Sequence, residues 1–206
     1  MTQSEWESFL RELSRLALAA DEQEYSGSRI FSDKMHASGY LGQTGASEEQ
    51  LAAAESRLGA KLPPSYRAFL RVSDGWPMMY TAVLPGRLWA VEELHWIRDY
   101  DPYEIKIWGE SCSPEEDISP EEHLYSREAG AGSTIYREAY VENLLSISDH
   151  GDACDLLLSP EVVDEKGEWE CWHIANWKPG ASRERSFEAW MKDAHEFLRH
   201  SLEDDR

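Results

Sequence analysis

Positive charge is scarce in this sequence. The 206 residues include 20 lysines and arginines against 40 aspartates and glutamates, which gives a formal net charge of −20 at pH 7. Binding of nucleic acid requires a basic surface, and electrostatic attachment to an anionic membrane requires one too, so the charge argues against both. A strongly acidic surface instead suits a basic protein partner, which its field would steer inward.

Cysteine is also scarce, and long apolar runs are missing. The three cysteines, Cys112, Cys154 and Cys171, are far apart and form no C-x-x-C pair, which argues against a disulfide framework or a zinc knuckle and favours a reducing compartment. No apolar run approaches the ~20 residues that a membrane-spanning helix needs. The N-terminal segment carries charges throughout, unlike a signal peptide. We therefore expect a cytoplasmic protein in which Cys154 and Cys171 are buried thiols.

Common catalytic motifs are missing as well. The sequence has no H-E-x-x-H pair, no P-loop, no G-x-G-x-x-G turn and no G-x-S-x-G elbow. Its seven histidines lack the tight mutual spacing of metal ligands. We therefore expect no metal, no cofactor and no enzymatic activity.

One short cluster remains enzyme-like. In the sequence DHGD at residues 149–152, His150 could act as a general base oriented by Asp149 or Asp152. The same residue types also build hairpin turns, because Asp and Gly tolerate unusual backbone angles. We favour the turn and keep a hydrolase as a minor alternative.

Two glutamates on a predicted strand form a second enzyme-like pattern. Glu168 and Glu170 alternate along the segment EWECWHIA, so their side chains share one face. Paired carboxylates catalyse glycoside hydrolysis. Glutamates on the solvent face of an antiparallel strand are more common, and we expect that arrangement here.

The most informative stretch runs from residue 47 to residue 77 and predicts two short helices joined by a proline corner. Ser47 and Gln50 have the spacing of a capping box, and Gly59 lies where a helix ends in a left-handed residue. The prolines at 63–64 then begin a second helix. We expect the apolar face of this helix–corner–helix unit to pack on a larger part of the protein. The aromatic residue after it, Trp76, either closes the edge of the core or anchors a partner.

This stretch resembles the opening signature of the SUKH superfamily, the Smi–Knr family of bacterial immunity proteins and fungal cell-wall synthesis regulators. The residues that carry the resemblance are Glu55, Leu58, Gly59, Leu62, Pro63, Tyr66, Phe69, Leu70, Asp74, Gly75 and Trp76. The turn at residues 147–152 and the Ser-Phe start of the last helix add to it. The resemblance covers about residues 46–200.

The remaining patterns predict an α+β fold, in which N-terminal helices pack on a mostly antiparallel β-sheet and a C-terminal amphipathic helix follows. Residues 4–20 predict a first helix, and residues 1–45 a helix and an ordered loop packed on the domain. Residues 46–202 form the SUKH-like α+β domain. Strands are expected at 79–84, 88–91, 143–148, 153–159 and 168–175, with a helical turn at 92–97 and a final helix from residue 186. Residues 98–132 are interpreted as an insertion with an acidic run at 113–123, in which Ser119, Pro120 and Glu122 have the pattern of the start of a short helix. Residues 177–185 are expected to form a loop.

The resemblance implies non-catalytic protein binding, as in an immunity protein that neutralises a cognate toxin, possibly a nuclease with a basic cleft. The alternative is a general regulatory or scaffold module without a dedicated toxin. The expected partner is this toxin or another basic protein. The predicted contact residues are Trp76, Glu115, Glu116, Asp117, Glu121 and Glu122.

Overall fold

The computed structural model describes residues 1–23, 30–77, 86–100, 102–109, 117–128, 135–151, 153–177 and 180–204. Within these ranges the chain forms helices around a five-stranded antiparallel sheet, which confirms the predicted α+β class. The helices are α1 (Gln3–Gln23), α2 (Asp33–Ser38), α3 (Glu48–Leu58), α4 (Pro64–Val72), α5 (Ile97–Tyr100), α6 (Pro102–Gly109), α7 (Pro120–Glu128), a 3₁₀ helix (Glu138–Asn143) and α8 (Phe187–Asp204). The strands are β1 (His95–Trp96), β2 (Leu145–Ser146), β3 (Cys154–Val163), β4 (Trp169–Ala175) and β5 (Ala181–Glu184).

The helix–corner–helix unit forms as its sequence predicts. Ser47 accepts a hydrogen bond from the backbone of Gln50, and the Gln50 side chain accepts one from the backbone of Ser47, which completes the capping box. Helix α3 ends at Gly59, whose φ of 68° is left-handed. Pro64 then occupies the first turn of α4.

The sheet has the strand order β1-β2-β3-β4-β5, with every neighbouring pair antiparallel. All seven residues of β4 are buried. A strand that is buried on both faces lies between two layers, so helices must cover both sides of the sheet.

One face of the sheet packs on the larger core. Helices α1, α3, α4 and α8 supply this core, and Leu156, Leu158 and Cys171 meet it from the sheet. The indole of Trp6 in α1 lies 5.7 Å from the ring of Phe69 in α4 and 5.9 Å from that of Phe187 in α8, measured between centroids. The three helices therefore share one aromatic centre.

The second face carries a smaller core. Leu157, Trp172 and Ile174 point to this side, where Ile97 of α5 and Val141 of the 3₁₀ helix meet them. The described part of the predicted insertion, residues 98–132, includes α6 and α7, and it covers this face. His123 of α7 is fully buried beside Trp172, with ring centroids 5.4 Å apart.

Several local predictions differ from the structure. Residues 181–184 form β5, although the sequence predicted a loop there, because a short polar strand shows no apolar alternation. Leu88 makes isolated bridges to Trp76 and Ser148 in place of a strand over 88–91. Residues 95–96 form β1, and the helical turn that was expected over 92–97 is limited to the turn just before it. The predicted strand 79–84 lies outside the described residues.

Candidate functional site

The signature residues hold the fold together. The carboxylate of Glu55 is buried and accepts hydrogen bonds from the Lys61 side chain at 2.6 Å, the Leu62 backbone at 3.3 Å and the Arg67 side chain at 3.1 Å. One side chain thereby joins α3, the corner and α4. Burial by itself raises the pKa of Glu55, but these hydrogen bonds outweigh it and lower the pKa below its ordinary value.

A second set of contacts ties this unit to residues 88–94. Arg57 donates to the backbone carbonyls of Leu94, Val91 and Glu92, and Asp74 accepts from the backbone of Val91 at 2.7 Å. Gly75 has a φ of 94°, and an added Cβ would lie 2.8 Å from a backbone oxygen, so only glycine fits there. These residues position the segment that leads into β1.

Trp76 lies in the core, and none of its surface is exposed. Its ring packs edge-to-face on Tyr40, with centroids 6.1 Å apart, and its backbone pairs with that of Leu88. This position agrees with the interpretation that Trp76 closes the edge of the core. In this structure it offers no surface to a partner.

The predicted acidic contact residues divide into three groups. Glu115 and Glu116 lie outside the described residues. The Asp117 side chain is only 5% exposed and accepts hydrogen bonds from the backbones of Glu138 and Ala139, so it caps the 3₁₀ helix. Glu121 and Glu122 are exposed in the first turn of α7.

Helix α7 begins as the sequence predicted. Ser119 and Glu122 exchange backbone-to-side-chain hydrogen bonds of 2.9 and 3.2 Å, which is a capping box. A groove of about 400 Å³ runs beside this helix. Its walls include Pro120, Leu124, Tyr140, Val163, Asp164 and Arg185. The exposed glutamates of α7 thus stand on the element that forms one wall of a partly apolar groove.

The sequence DHGD at residues 149–152 belongs to the connection between β2 and β3. Asp149 accepts a hydrogen bond from the Arg87 backbone at 2.6 Å, and the Gly151 carbonyl accepts one from the Cys154 backbone at 3.0 Å. His150 does have a carboxylate partner, but it is Asp155 on β3, at 2.8 Å from Nδ1. Asp152 lies outside the described residues.

The prediction that Glu168 and Glu170 both lie on the solvent face is wrong. Glu170 is 1% exposed and accepts hydrogen bonds from His123 and from the indole of Trp172, both at 3.0 Å. Glu168 accepts bonds from the backbone and hydroxyl of Ser65, at 2.9 and 2.6 Å, at the start of α4. Each glutamate therefore joins the sheet to a different helix, and neither is placed as one of a catalytic pair.

A second cleft, of about 450 Å³, lies between β1, the helices α5 and α6, and the turn that precedes β3. We call it the aromatic cleft. Its main lining residues are Trp89, His95, Tyr100, Tyr103, Asp149 and Asp155. The rings of Trp89, His95 and Tyr100 form a continuous row, which we call the stack, with 4.3 Å between the centroids of each neighbouring pair and tilts of 35° and 37° between their planes.

Tyr100 and Tyr103 are 72% and 68% exposed, unusually high values for aromatic side chains. The carboxylate of Asp149, which also lines the cleft, is partly exposed. Burial lowers the pKa of His95, and its hydrogen bond to the backbone carbonyl of Glu93 only partly offsets this effect. The neutral form of His95 is therefore favoured at pH 7, and the cleft combines aromatic rings with the carboxylates of Asp149 and Asp155 and with the half-exposed His150.

Sequence reasoning did not select these aromatic residues. Tyr100 and Tyr103 fall in the segment interpreted as an insertion, in which all the predicted contact residues are acidic. A usable signal was present, since large aromatic residues without apolar periodicity occur there in a polar context. The stack itself could not be predicted, because His95 meets Tyr100 only since the chain passes directly from β1 into α5 between Trp96 and Ile97.

The predictions about buried cysteines and metal ligands can be compared with the structure only for the described residues. Cys154 and Cys171 are buried, and burial raises the pKa of the Cys171 thiol well above its ordinary value. Cys112 lies outside the described residues. Among the described residues, no group of three or more His, Cys, Asp or Glu side chains could hold a metal ion. None of the helices in the described ranges has the length and apolar character to cross a membrane.

Comparison with known proteins identifies the family. The model of the SMI1 / KNR4 family (SUKH-1) matches residues 45–193, which is more than half of the chain. The protein therefore belongs to the SMI1/KNR4 family, and the resemblance to the SUKH superfamily is confirmed. No curated protein and no solved structure matches the chain. Membership is consistent with an immunity-protein-like or a regulatory domain.

Proposed function

We propose that this protein is a non-catalytic binding domain that neutralises a cognate toxin as an immunity protein. The observation that carries the proposal is the family match over residues 45–193. The net charge of −20 supports a basic partner, because an acidic surface speeds and orients the approach of such a protein. A nuclease toxin suits this charge best, since its substrate is a polyanion and its cleft must be basic.

The α7 groove offers a contact surface of the expected kind. Protein interfaces combine an apolar centre with a polar rim. Leu124 and Val163, which are 40% and 52% exposed, provide apolar area at this groove. Glu121 and Glu122 provide acidic groups on the same helix. We assign these two glutamates to the interface and leave out Trp76 and Asp117, whose side chains are buried.

The first test is co-purification of the tagged protein from its own cells at low and high salt. We expect one basic polypeptide that binds at low salt and elutes at high salt. That result would identify the toxin, and its activity should fall when the purified protein is added back. Several unrelated neutral proteins, bound at both salt concentrations, would contradict the proposal and favour a regulatory module.

The second test concerns the contact surface. Reversing Glu121 and Glu122 to lysine should weaken partner binding about tenfold at low salt and flatten its salt dependence, as expected for charges that steer association. The control reverses Glu196 and Glu203, two exposed glutamates on α8, and so makes the same change in net charge at a different place. Equal effects from both pairs would show that only the overall charge matters and would refute the assignment of this surface.

A further inference from the structure

We propose that the aromatic cleft binds an arginine side chain of the protein partner. This inference rests on the proposed protein-binding function and adds a second contact point to it. Trp89, His95 and Tyr100 contact one another in a row, and the exposed rings of Tyr100 and Tyr103, both in the lining of the cleft, offer aromatic surface to a ligand. Exposed aromatic rings beside carboxylates form the environment in which a cationic side chain is held by ring faces and by charge together.

Charge in and around the cleft favours a cation. Asp149 and Asp155 line it, although Asp155 pairs with His150 and Asp149 lies 3.8 Å from Arg87. Arg57 and Asp99 act on His95 with opposite signs, since Arg57 lowers its pKa and Asp99 raises it. Arg57 is itself engaged with the backbone carbonyls of Leu94, Val91 and Glu92, so the partly exposed Asp149 is the main acidic group offered to a ligand. Because its lowered pKa favours the neutral form at pH 7, His95 supports the neighbouring rings without repelling a cation. His150, which pairs with Asp155, also lines the cleft and is half exposed.

Basic side chains of the same protein are engaged on neighbouring elements. Arg87 makes two hydrogen bonds to Glu93, at 2.8 and 2.9 Å, while its Nε lies 3.8 Å from Asp149. Arg98 donates to Asn143 at 2.7 Å and stacks on Trp96, with its guanidinium carbon 4.9 Å from the ring centroid. The stacking of Arg98 on Trp96 shows the same chemistry at the next position of β1, here satisfied within the chain.

The shape of the cleft favours arginine over lysine. A guanidinium is planar, so it can lie against a ring and still direct two N–H groups at one carboxylate, whereas an ammonium is a compact charge without a flat face. A volume of about 450 Å³ is far larger than a single guanidinium, so the stem of the side chain and its neighbouring backbone also fit.

The direct test is a titration of the labelled protein, followed by NMR, with the peptide acetyl-Gly-Ser-Arg-Ser-Gly-amide. The matched probe carries citrulline, which has the same shape and no charge. We expect saturable shifts at Trp89, His95 and Tyr100, and about fivefold weaker binding of the citrulline peptide, in line with an exposed cation–ring contact. Equal binding of both peptides would show that the cleft takes an uncharged group, and an absence of localised shifts would also overturn the inference.

Four variants test whether loss of arginine binding comes from the cleft itself or from a change in folding. Tyr100→Ala and Asp149→Asn should each weaken binding of the arginine peptide about fivefold, since each removes one of the two kinds of contact. The controls are Trp177→Ala and Asp193→Asn, which change an exposed ring and an exposed carboxylate elsewhere. Thermal unfolding checks that all four variants fold.

The co-purified partner distinguishes failure of this inference from failure of the proposed function. A partner that binds wild type and the Tyr100→Ala and Asp149→Asn variants equally would leave the immunity function intact and refute the arginine site. Loss of partner binding in these two variants, with the Trp177→Ala and Asp193→Asn controls unaffected, would support both the arginine site and the immunity function.

Discussion

Glu55 shows how a single buried carboxylate can explain part of a family signature. It receives hydrogen bonds from the corner and from α4 while it belongs to α3. A buried carboxylate with several donors is strongly position-specific, because loss of the charge leaves those donors without an equivalent acceptor. The contacts of Glu55 are therefore architectural, since they join α3, the corner and α4.

We predict that Glu55→Gln destabilises the protein by about 2 kcal/mol, because glutamine retains one acceptor oxygen but turns an amide N–H₂ toward cationic donors. Urea unfolding at pH 7 measures the change. The control is Glu48→Gln, since Glu48 is an exposed partner of Arg67 and Arg71, and we expect less than about 1 kcal/mol there. Equal losses in both variants would show that the buried position of Glu55 has no special role.

At the scale of secondary-structure elements, the second face of the sheet depends on polar contacts as well as apolar ones. Glu170 of β4 accepts hydrogen bonds from His123 of α7 and lies 3.4 Å from the Arg183 side chain of β5. Arg183 also donates to the His123 carbonyl at 2.5 Å and to the Ser126 hydroxyl at 2.7 Å. This buried cluster fastens α7 to the sheet.

The cluster also shows which features the sequence does not predict, namely contacts between residues that are far apart in the chain. The helix–corner–helix unit, the capping boxes at Ser47 and Ser119, and the apolar stripe of α8 are local patterns, and the sequence predicts each of them. The burial of Glu170 depends on α7 crossing the sheet about 50 residues earlier in the chain, as its contact with His123 shows. Strand β5 depends on its pairing with β4 for the same reason, since Arg183 finds its acceptors only in the folded chain.

The pH dependence of stability tests this cluster. Burial raises the pKa of Glu170, but the hydrogen bond from His123 and the charge of Arg183 outweigh it, so its folded pKa lies below the ordinary value of 4.5. A carboxyl with a lowered folded pKa stabilises the protein above its unfolded pKa, and this stabilisation is lost as the pH falls through the folded pKa.

We therefore predict that the free energy of unfolding of the wild type exceeds that of Glu170→Gln by about 2 kcal/mol at pH 7. This difference should become smaller as the pH falls below about 4.5. Chemical unfolding of both proteins between pH 7 and pH 3 measures this difference in the free energy of unfolding. Glu165→Gln, an exposed change in the β3–β4 turn, serves as the control and should alter stability by less than about 0.5 kcal/mol. A difference that stays constant down to pH 3 would mean that the carboxylate charge of Glu170 does not contribute.

At the scale of the whole molecule, the family match begins at residue 45, yet the N-terminal segment shares the main core. Asp21 of α1 accepts hydrogen bonds from the backbones of Ile30 and Phe31, and Ser14 accepts one from the backbone of Leu41. These contacts fix the described part of residues 30–44 against α1. We propose that residues 1–44 and the family domain form one folding unit.

The N-terminal helix supplies the decisive test of this unit. Trp6, Leu10 and Leu13 are fully buried, so deletion of residues 1–44 would expose apolar surface on α4 and α8. We predict that the truncated protein aggregates or unfolds. We also predict that Trp6→Ala in the full chain costs about 3–5 kcal/mol, as expected for removal of a large core side chain.

Size-exclusion chromatography and urea unfolding measure both effects, and Glu7→Ala, an exposed change one residue away, should cost less than about 0.5 kcal/mol. A truncated protein that remains monomeric and unfolds at the same urea concentration would show that α1 is a separate appendage. The opposite result is one unfolding transition in the full chain, which Trp6→Ala moves as a whole to lower urea concentration. It would mean that α1, which precedes the family match, stabilises the same core as α3, α4 and the sheet. In that case the surfaces proposed for the partner, at α7 and at the aromatic cleft, are held in place by residues that the family match does not include.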